Sequence, residues 1–168
     1  MLKVLIADDE EKICQLIIKL INWEEMGLKI AATASNGIEA LEQAKICKPE
    51  ILITDIRMPG IDGMELIRKV KEKLPDTEII IISGYRHFEY AQTAIRYGVR
   101  NYLLKPIKKE ELRDTLQKIA DIYREKNEQL NFEERVRLAL KNDAGKLRTS
   151  FISRMIYGDR ERENIISL

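Results

Sequence analysis

Short apolar runs alternate along the chain with longer segments in which apolar residues recur every three or four positions. The runs are rich in Ile, Leu and Val, and the middle runs lack a strict alternation of apolar and polar residues. Such runs are typical of strands that other elements cover on both faces. The predicted strands span residues 2–7, 28–34, 51–54, 78–82 and 101–104.

The longer segments predict helices, because apolar side chains spaced at i, i+3 and i+4 lie on one side of a helix. These helices span residues 11–21, 37–47, 64–74 and 88–97, and a fifth begins near Lys108. Strands that alternate with helices predict a parallel sheet with right-handed crossovers and helices on both faces. The predicted inward positions are Ile13, Leu16, Ile17, Leu20, Ile38, Leu41, Ala44, Leu66, Ile67, Val70, Ala91, Ala94, Ile95, Leu112, Leu116 and Ile119.

The fifth helix has no stop signal at Asp121, and we expect it to continue to about Lys141. The residues "NDAG" at 142–145 favour a break, and a further amphipathic segment is expected at 146–157. We therefore expect a domain at 1–122 and a helical extension at 123–168. The extension has too few residues to bury its own apolar face. We therefore expect either that a partner covers it or that it is a helical linker at the start of a truncated downstream region.

Apolar residues along the fifth helix follow the spacing of a short coiled-coil seam. They are Leu112, Leu116, Ile119, Tyr123 and Leu130. The seam is shorter than three heptads, which is too short for an independent coiled coil. Two interpretations remain open, since the seam can pack against the domain or an absent neighbour, or it can pair in a homodimer.

The composition excludes several classes of protein. Lys and Arg total 29 against 28 Asp and Glu, so bulk charge favours neither nucleic acid nor an anionic membrane as a direct partner. No apolar run approaches the ~18 residues of a membrane span, and the first residues do not resemble a signal peptide. Cys14 and Cys47 are isolated, and His87 is the only histidine, so we expect reduced thiols, no zinc site and a cytoplasmic location.

Polar residues follow four of the predicted strands directly. Asp8, Asp9 and Glu10 follow the first strand, and Asp55 follows the third. The fourth strand is followed by Ser83 and Gly84, and the fifth by Lys105 and Pro106. Because the working site of such a sheet lies at the carboxyl ends of its strands, we expect these groups to converge at one edge.

The expected cluster has the chemistry of a phosphoryl-transfer site. Crowded carboxylates repel one another unless a cation lies between them, and hard oxygen ligands suit Mg²⁺. We therefore predict that Asp8, Asp9 and Asp55 bind Mg²⁺ together with the backbone carbonyl of Arg57. An aspartate can also accept a phosphoryl group as nucleophile, while an amine and a hydroxyl stabilise the phosphoryl oxygens.

Each of these features has a simpler explanation when it is taken alone. Asp8 and Asp9 can cap the first helix, and Asp62 is expected to cap the third. Ser83-Gly84 can be a turn, Lys105-Pro106 a loop, and Tyr102 a core residue. Their joint appearance at four strand ends favours one shared site.

Four motifs resemble the receiver domain of bacterial two-component response regulators. They are "LIADDE", "ITDIRMPGIDG", "IIISGY" and "YLLKPI", in this order, and the resemblance covers residues 1–122. It implies a flavodoxin-like, CheY-like fold with the strand order 2-1-3-4-5. The segments "INWEEMGL" and "SGYRHFEYAQTAIRYGVRNYLLKPI" are similar to regulators with an AraC-type helix-turn-helix output domain, and we expect no such domain within these 168 residues.

The resemblance assigns a role to each residue that matches a motif. It implies that Asp55 is the phosphorylation site and that Ser83 and Lys105 contact the phosphoryl group. Ser83 and Tyr102 match the two switch positions of the family. The matched metal ligands are Asp8, Asp9, Asp55 and the Arg57 carbonyl, and the Lys105–Pro106 peptide is expected to be cis.

The resemblance also implies the partners. A sensor histidine kinase would phosphorylate Asp55, and the face formed by the fourth helix, fifth strand and fifth helix would then change and control a homodimer. DNA would be contacted only through a downstream domain. The chain would be a phospho-acceptor rather than a turnover enzyme, and a stand-alone receiver that signals by protein contact is the alternative.

Two other classes fit the residues less well. A phosphatase with an aspartyl nucleophile normally has a second acid two residues further on, where this chain has Arg57. A dinucleotide-binding fold needs a glycine-rich turn after the first strand, where this chain has Asp8, Asp9 and Glu10.

Overall fold

The computed structural model describes residues 1–84, 88–99 and 101–157, and for residues 88–89 and 142–157 it describes the backbone alone. The side chains of the amphipathic segment predicted at 146–157 therefore lie outside the described residues. The chain divides into two compact units, Met1–Ile122 and Tyr123–Leu168.

A five-stranded parallel sheet forms the centre of the first unit, with the predicted order β2-β1-β3-β4-β5. The three central strands of the sheet are mostly buried, whereas the edge strand at 28–34 has exposed residues in its centre. The strands are β1 (Leu2–Ala7), β2 (Leu28–Ala34), β3 (Ile51–Thr54), β4 (Glu78–Ser83) and β5 (Asn101–Leu104).

The first four helices connect consecutive strands and begin and end within one position of the predicted residues, and the fifth begins one position after Lys108. Asn36 caps α2 by accepting a hydrogen bond from the backbone N–H of Glu39, and Asp62 caps α3 in the same way through Glu65. The expected capping role of Asp62 is therefore confirmed. The helices are α1 (Glu11–Leu20), α2 (Gly37–Cys47), α3 (Gly63–Lys73), α4 (Phe88–Arg96) and α5 (Lys109–Tyr157).

Apolar residues are buried on both faces of the sheet. One face packs against α2, α3 and α4 through a cluster that includes Leu5, Leu52 and Ile81. Neighbouring strand residues point to the opposite face. Ile6 and Ile53 on that face are also fully buried. The fold of the first unit is the predicted one, with helices on both faces.

Three apolar positions that were predicted to face inward are exposed. Leu16, Ile38 and Ile95 have more than a third of their surface in solvent. A helix that lies on a sheet buries only a narrow stripe, and smaller neighbours such as Ala40 and Ala94 take the inward positions. The predictions for Leu16, Ile38 and Ile95 are therefore wrong.

The break predicted at 142–145 is also wrong, because α5 continues without interruption from Lys109 to Tyr157. Gly145 costs a helix interior roughly 1 kcal/mol relative to alanine. The surrounding lysine, alanine and leucine residues are good helix formers. The helix preferences of these neighbouring residues thus outweigh the turn preference of residues 142–145. A bilayer-crossing helix, which needs a long and nearly uncharged apolar stretch, is absent from the described ranges.

The predicted seam on α5 falls into two parts with different surroundings. Leu112, Leu116 and Ile119 are buried in the first unit, whereas Leu130 in the second unit is 54% exposed. The first part therefore belongs to the domain core and is unavailable for pairing two copies of the chain. The hypothesis of one continuous pairing seam from Leu112 to Leu130 is wrong.

Candidate functional site

The strand ends bring two carboxylates and one ammonium group together, as the sequence predicted. Lys105 Nζ lies 2.9 Å from Asp8 Oδ2 and 2.8 Å from Asp55 Oδ2. Asp8 is 2% exposed and Asp55 is 8% exposed, so both carboxylates are largely removed from water. One cation therefore balances two buried acids that come from different strands.

The sheet itself fixes the positions of these three residues. The backbone N–H of Asp8 donates to Ala34 O at 3.1 Å, and that of Asp55 donates to Ala7 O at 2.9 Å. Lys105 N–H likewise donates to Ser83 O at 2.9 Å. Each residue thus continues the parallel ladder one position beyond its strand. Its side chain is placed by backbone hydrogen bonds rather than by a mobile loop.

Burial and ion pairing change the acid–base properties of the cluster. Burial raises the pKa of Asp8, and hydrogen bonds from the Glu10 N–H and from Lys105 act against that rise. Burial also acts to lower the pKa of Lys105. The hydrogen bonds and charges of Asp55 and Asp8 outweigh burial there and raise the pKa of Lys105. Lys105 therefore stays protonated at neutral pH.

Asp9 completes a group of acids that fits a divalent metal ion. One carboxylate oxygen from each of Asp8, Asp9 and Asp55 can be chosen so that all three lie within 4.8 Å of one another. Asp9 is exposed, which leaves the group open to solvent on one side. An open set of hard oxygen donors suits Mg²⁺, which retains several of its waters. The donor chemistry of these residues thus fits the predicted metal.

The β3–α3 loop places further backbone groups beside Asp55. Asp55 Oδ1 accepts a hydrogen bond from the backbone N–H of Ile56, and the N–H of Arg57 lies 3.4 Å from the same oxygen. Arg57 is exposed, and its backbone N–H lies near the Asp55 carboxylate. The two contacts orient the Asp55 carboxylate and leave its Oδ2 atom facing Lys105.

Two glycines allow close packing around this loop. A Cβ atom on Gly63 would lie 2.0 Å from the backbone oxygen of Asp55, and one on Gly37 would lie 2.0 Å from that of Ile61. Gly37 N–H also donates to Pro59 O at 3.3 Å. The start of α2 therefore supports the loop that carries Asp55. This role of Gly37 was not predicted from the sequence. The pattern that could have indicated it is a glycine directly after the capping residue Asn36.

Ser83 and Tyr102 lie together at the ends of adjacent strands. Ser83 is fully buried at the end of β4, and Tyr102 is half-buried on β5. Burial raises the pKa of the Tyr102 hydroxyl, and a hydrogen bond with Ser83 acts against that rise. The two predicted switch residues are therefore in direct contact.

Glu10 is a further acid that sequence reasoning noted without assigning a role. Its Oε1 lies 3.6 Å from Lys105 Nζ, and its backbone N–H donates to Asp8 Oδ1 at 2.9 Å. Glu10 is also the N-cap residue of α1, and its own side chain makes no capping hydrogen bond. Neither Asp8 nor Asp9 is therefore the N-cap residue of α1, and the Asp8 carboxylate contacts Lys105 as well as the start of the helix. The Lys105–Pro106 peptide is cis.

Fold and cluster together define a class of protein, the CheY-like receivers. They share a parallel sheet of order 2-1-3-4-5 with acids and a lysine at its carboxyl edge. Residues 4–117 match the family model described as the response regulator receiver domain. The chain belongs to this family.

Curated relatives include much longer proteins. The uncharacterized transcriptional regulatory protein YesN of Bacillus subtilis strain 168 is 40% identical over 139 residues, which are 79% of this chain and 38% of that protein. The transcriptional regulatory protein HptR of Staphylococcus aureus strain N315 is 40% identical over 107 residues, which are 64% of this chain and 42% of that protein. The chain thus spans less than half of the length of these relatives.

Solved structures share the fold of the first unit. The receiver domain of AraT, a response regulator from Geobacillus stearothermophilus, has a TM-score of 0.72 and 41% identity, covering 75% of this chain and 98% of that one. A two-component transcriptional regulator AraC from Clostridium phytofermentans ISDg has a TM-score of 0.67 and 36% identity, covering 72% and 94%. The second likeness supports the predicted similarity to regulators of the AraC type.

Proposed function

We propose that this receiver accepts a phosphoryl group on Asp55 from a partner sensor histidine kinase in the presence of Mg²⁺. The observation that carries the proposal is the environment of the Asp55 carboxylate. One of its oxygens is held by backbone N–H groups, and the other contacts the Lys105 ammonium. Such a carboxylate is oriented for attack and has a permanent positive charge beside it.

In the proposed transfer, Asp55 Oδ2 attacks the phosphorus of a phosphohistidine. A P–O bond forms, the P–N bond breaks, and its electron pair returns to the imidazole of the kinase. Lys105 then turns from the carboxylate to a phosphoryl oxygen. Mg²⁺, held by Asp8, Asp9, Asp55 and the Arg57 carbonyl, would neutralise further phosphoryl charge when bound.

The proposed switch uses the contact between Ser83 and Tyr102. Phosphorylation adds a charge of about −1.5 to −2 next to Ser83. If the Ser83 hydroxyl turns to the phosphoryl group, the environment of the Tyr102 hydroxyl changes with it. Tyr102 lies on β5, so the change would reach the face formed by α4, β5 and α5.

The proposed output is transcriptional. The names of the relatives include transcriptional regulatory proteins, and those relatives are more than twice as long as the matched part. We therefore propose a cytoplasmic regulator whose phosphorylated receiver controls a homodimer and, through a downstream domain, DNA binding. A stand-alone receiver that signals by protein contact alone is the second candidate.

Intact mass spectrometry tests the phosphorylation step. After treatment with acetyl phosphate and Mg²⁺, wild type should gain the mass of one phosphoryl group, and Asp55→Asn should gain none. Asp62→Asn is the matched control, because Asp62 lies in the same loop and only caps α3. Labelling of Asp55→Asn equal to wild type would refute the proposal. Multiple turnover of a small phosphoester by wild type would instead favour a phosphatase.

A further inference from the structure

A small cleft with an apolar floor lies between α2 and α3. Its volume is about 200 Å³, and Leu41 and Val70 contribute to the floor. The cleft lies near the carboxyl ends of both helices, just before the chain enters β3 and β4. It is therefore at the amino edge of the sheet, away from Asp55 at the carboxyl edge.

Four lysines surround this cleft, namely Lys45 and Lys48 from the α2 end and Lys69 and Lys73 from α3. Lys69 contacts the carboxylate of Glu65 at 3.3 Å. Within the ranges that the structure covers, the other three lysines make no ion pair. The whole chain has a net charge of only +1, so this concentration of positive charge is local.

Helix stability explains these lysines only in part. Cations in the last turn of a helix interact favourably with its dipole, which accounts for Lys45 and Lys73. Lys69 lies in the middle of α3, and Lys48 lies beyond the last turn of α2. Helix dipoles also give no reason for lysines of two helices to surround one apolar opening.

The volume of the cleft decides what kind of ligand fits. Pockets that enclose small molecules measure roughly 300–1,000 Å³. At about 200 Å³, this cleft is too small for such a ligand but accepts one or two apolar side chains. Apolar anchors with charged neighbours are the usual features of a protein interface.

We propose that the cleft binds an acidic amphipathic segment of a partner protein. Its apolar side chains would enter the cleft between Leu41 and Val70, and its carboxylates would pair with the lysines at the rim. Helix-in-groove recognition supplies the apolar anchors at i and i+4. The charges set the orientation and the salt dependence. The surface is separate from the Asp55 cluster, so the inference does not depend on phosphorylation.

The test uses the complete chain of 168 residues and a synthetic probe. The probe is a fluorescein-labelled helical peptide with leucines at i and i+4 and glutamates on both sides, followed by fluorescence anisotropy. Saturable binding is expected at low salt, and it should weaken as salt is added. A peptide with both leucines replaced by alanine should bind more weakly, because the anchors are lost.

Charge reversal locates the binding surface. The variant Lys45→Glu/Lys73→Glu should bind the probe roughly tenfold more weakly, because two exposed attractions become repulsions. Lys12→Glu/Lys19→Glu is the matched control, since both lysines are exposed on α1. The control should bind as wild type does. Thermal unfolding of each variant separates loss of binding from loss of structure. If Lys45→Glu/Lys73→Glu is unfolded, the neutral variant Lys45→Gln/Lys73→Gln takes its place.

Three results would overturn the inference. The first is no saturable binding of the probe to wild type. The second is an equal loss of binding in the cleft variant and the α1 control, which would mean attraction by bulk charge. The third is a dimer of wild type in sedimentation that the cleft variant dissociates, which would assign the cleft to a second copy of the chain.

Discussion

Removal of the ammonium group of Lys105 should destabilise the first unit and couple its stability to Mg²⁺. The variant Lys105→Met keeps most of the unbranched apolar side chain and leaves Asp8 and Asp55 without their shared cation. Removing one partner of a fully buried ion pair costs about 3–5 kcal/mol. The Lys105 side chain is 17% exposed and Asp9 is open to water, so water partly screens this cluster. We therefore expect the free energy of unfolding to fall by about 2–3 kcal/mol.

Thermal unfolding in EDTA measures this cost. A loss of about 2–3 kcal/mol corresponds to a fall in Tm of roughly 8–12 °C for a unit of this size. Added Mg²⁺ should restore more stability to Lys105→Met than to wild type, because the ion replaces the missing positive charge. Lys108→Met is the control, since Lys108 is exposed.

The pH dependence of Lys105→Met follows from the same argument. In wild type, the pKa of Lys105 is raised, so the stability that its charge contributes to the folded state is fully present at neutral pH. That stability is lost only when the pH rises through the raised pKa. In the variant, Asp8 loses the hydrogen bond and the charge of Lys105 that act against the rise of its pKa, so that pKa rises further. The stability deficit of the variant relative to wild type should therefore shrink as the pH falls from 7. A variant as stable as wild type in EDTA at pH 7, or a deficit independent of pH and Mg²⁺, would refute the assigned role.

Three further predictions address the loop, the metal and the long helix. Gly37→Ala should lower the free energy of unfolding by about 1–3 kcal/mol and weaken Mg²⁺ binding, because its methyl group would meet the loop backbone. Gly84→Ala is the control, since its methyl group has free space, and it should change the free energy of unfolding by less than about 0.5 kcal/mol. Thermal unfolding measures both changes. Mg²⁺ affinity, measured by titration calorimetry, should fall as the pH is lowered through the raised pKa of Asp8, which lies above the ordinary 3.8; an unchanged affinity down to 3.8 would contradict that shift. Leu116→Ala should lower the stability of the first unit by about 2–5 kcal/mol, while Leu140→Ala should leave that unit unchanged in chemical denaturation.

Sequence patterns predicted the sheet and the acid–lysine cluster for a physical reason. A polar residue directly after a buried strand has its position fixed by the ladder, as the N–H bonds of Asp8, Asp55 and Lys105 show. Strand order then determines which strand ends are neighbours. The geometry of the cluster thus follows from features that the sequence carries locally.

Features that depend on packing between distant segments were not predictable in this way. The support that Gly37 gives to the β3–α3 loop depends on a backbone approach between α2 and that loop. The exposure of Ile38 and Ile95 depends on which smaller neighbour faces the sheet. Continuation of α5 through Gly145 depends on the sum of many small helix preferences, which a local turn signal does not represent.

The exposed apolar residues of the second unit restrict how a homodimer could form. Phe132, Val136 and Leu140 are spaced by four residues and share one side of α5. Leu130 and Leu138 lie on nearly the opposite side, at about 100° per residue. A single partner helix covers one stripe of this kind, whereas a helix that is apolar on two sides needs contacts from two directions. A homodimer through one stripe would therefore leave the other stripe for a further segment, which the longer relatives have room to provide.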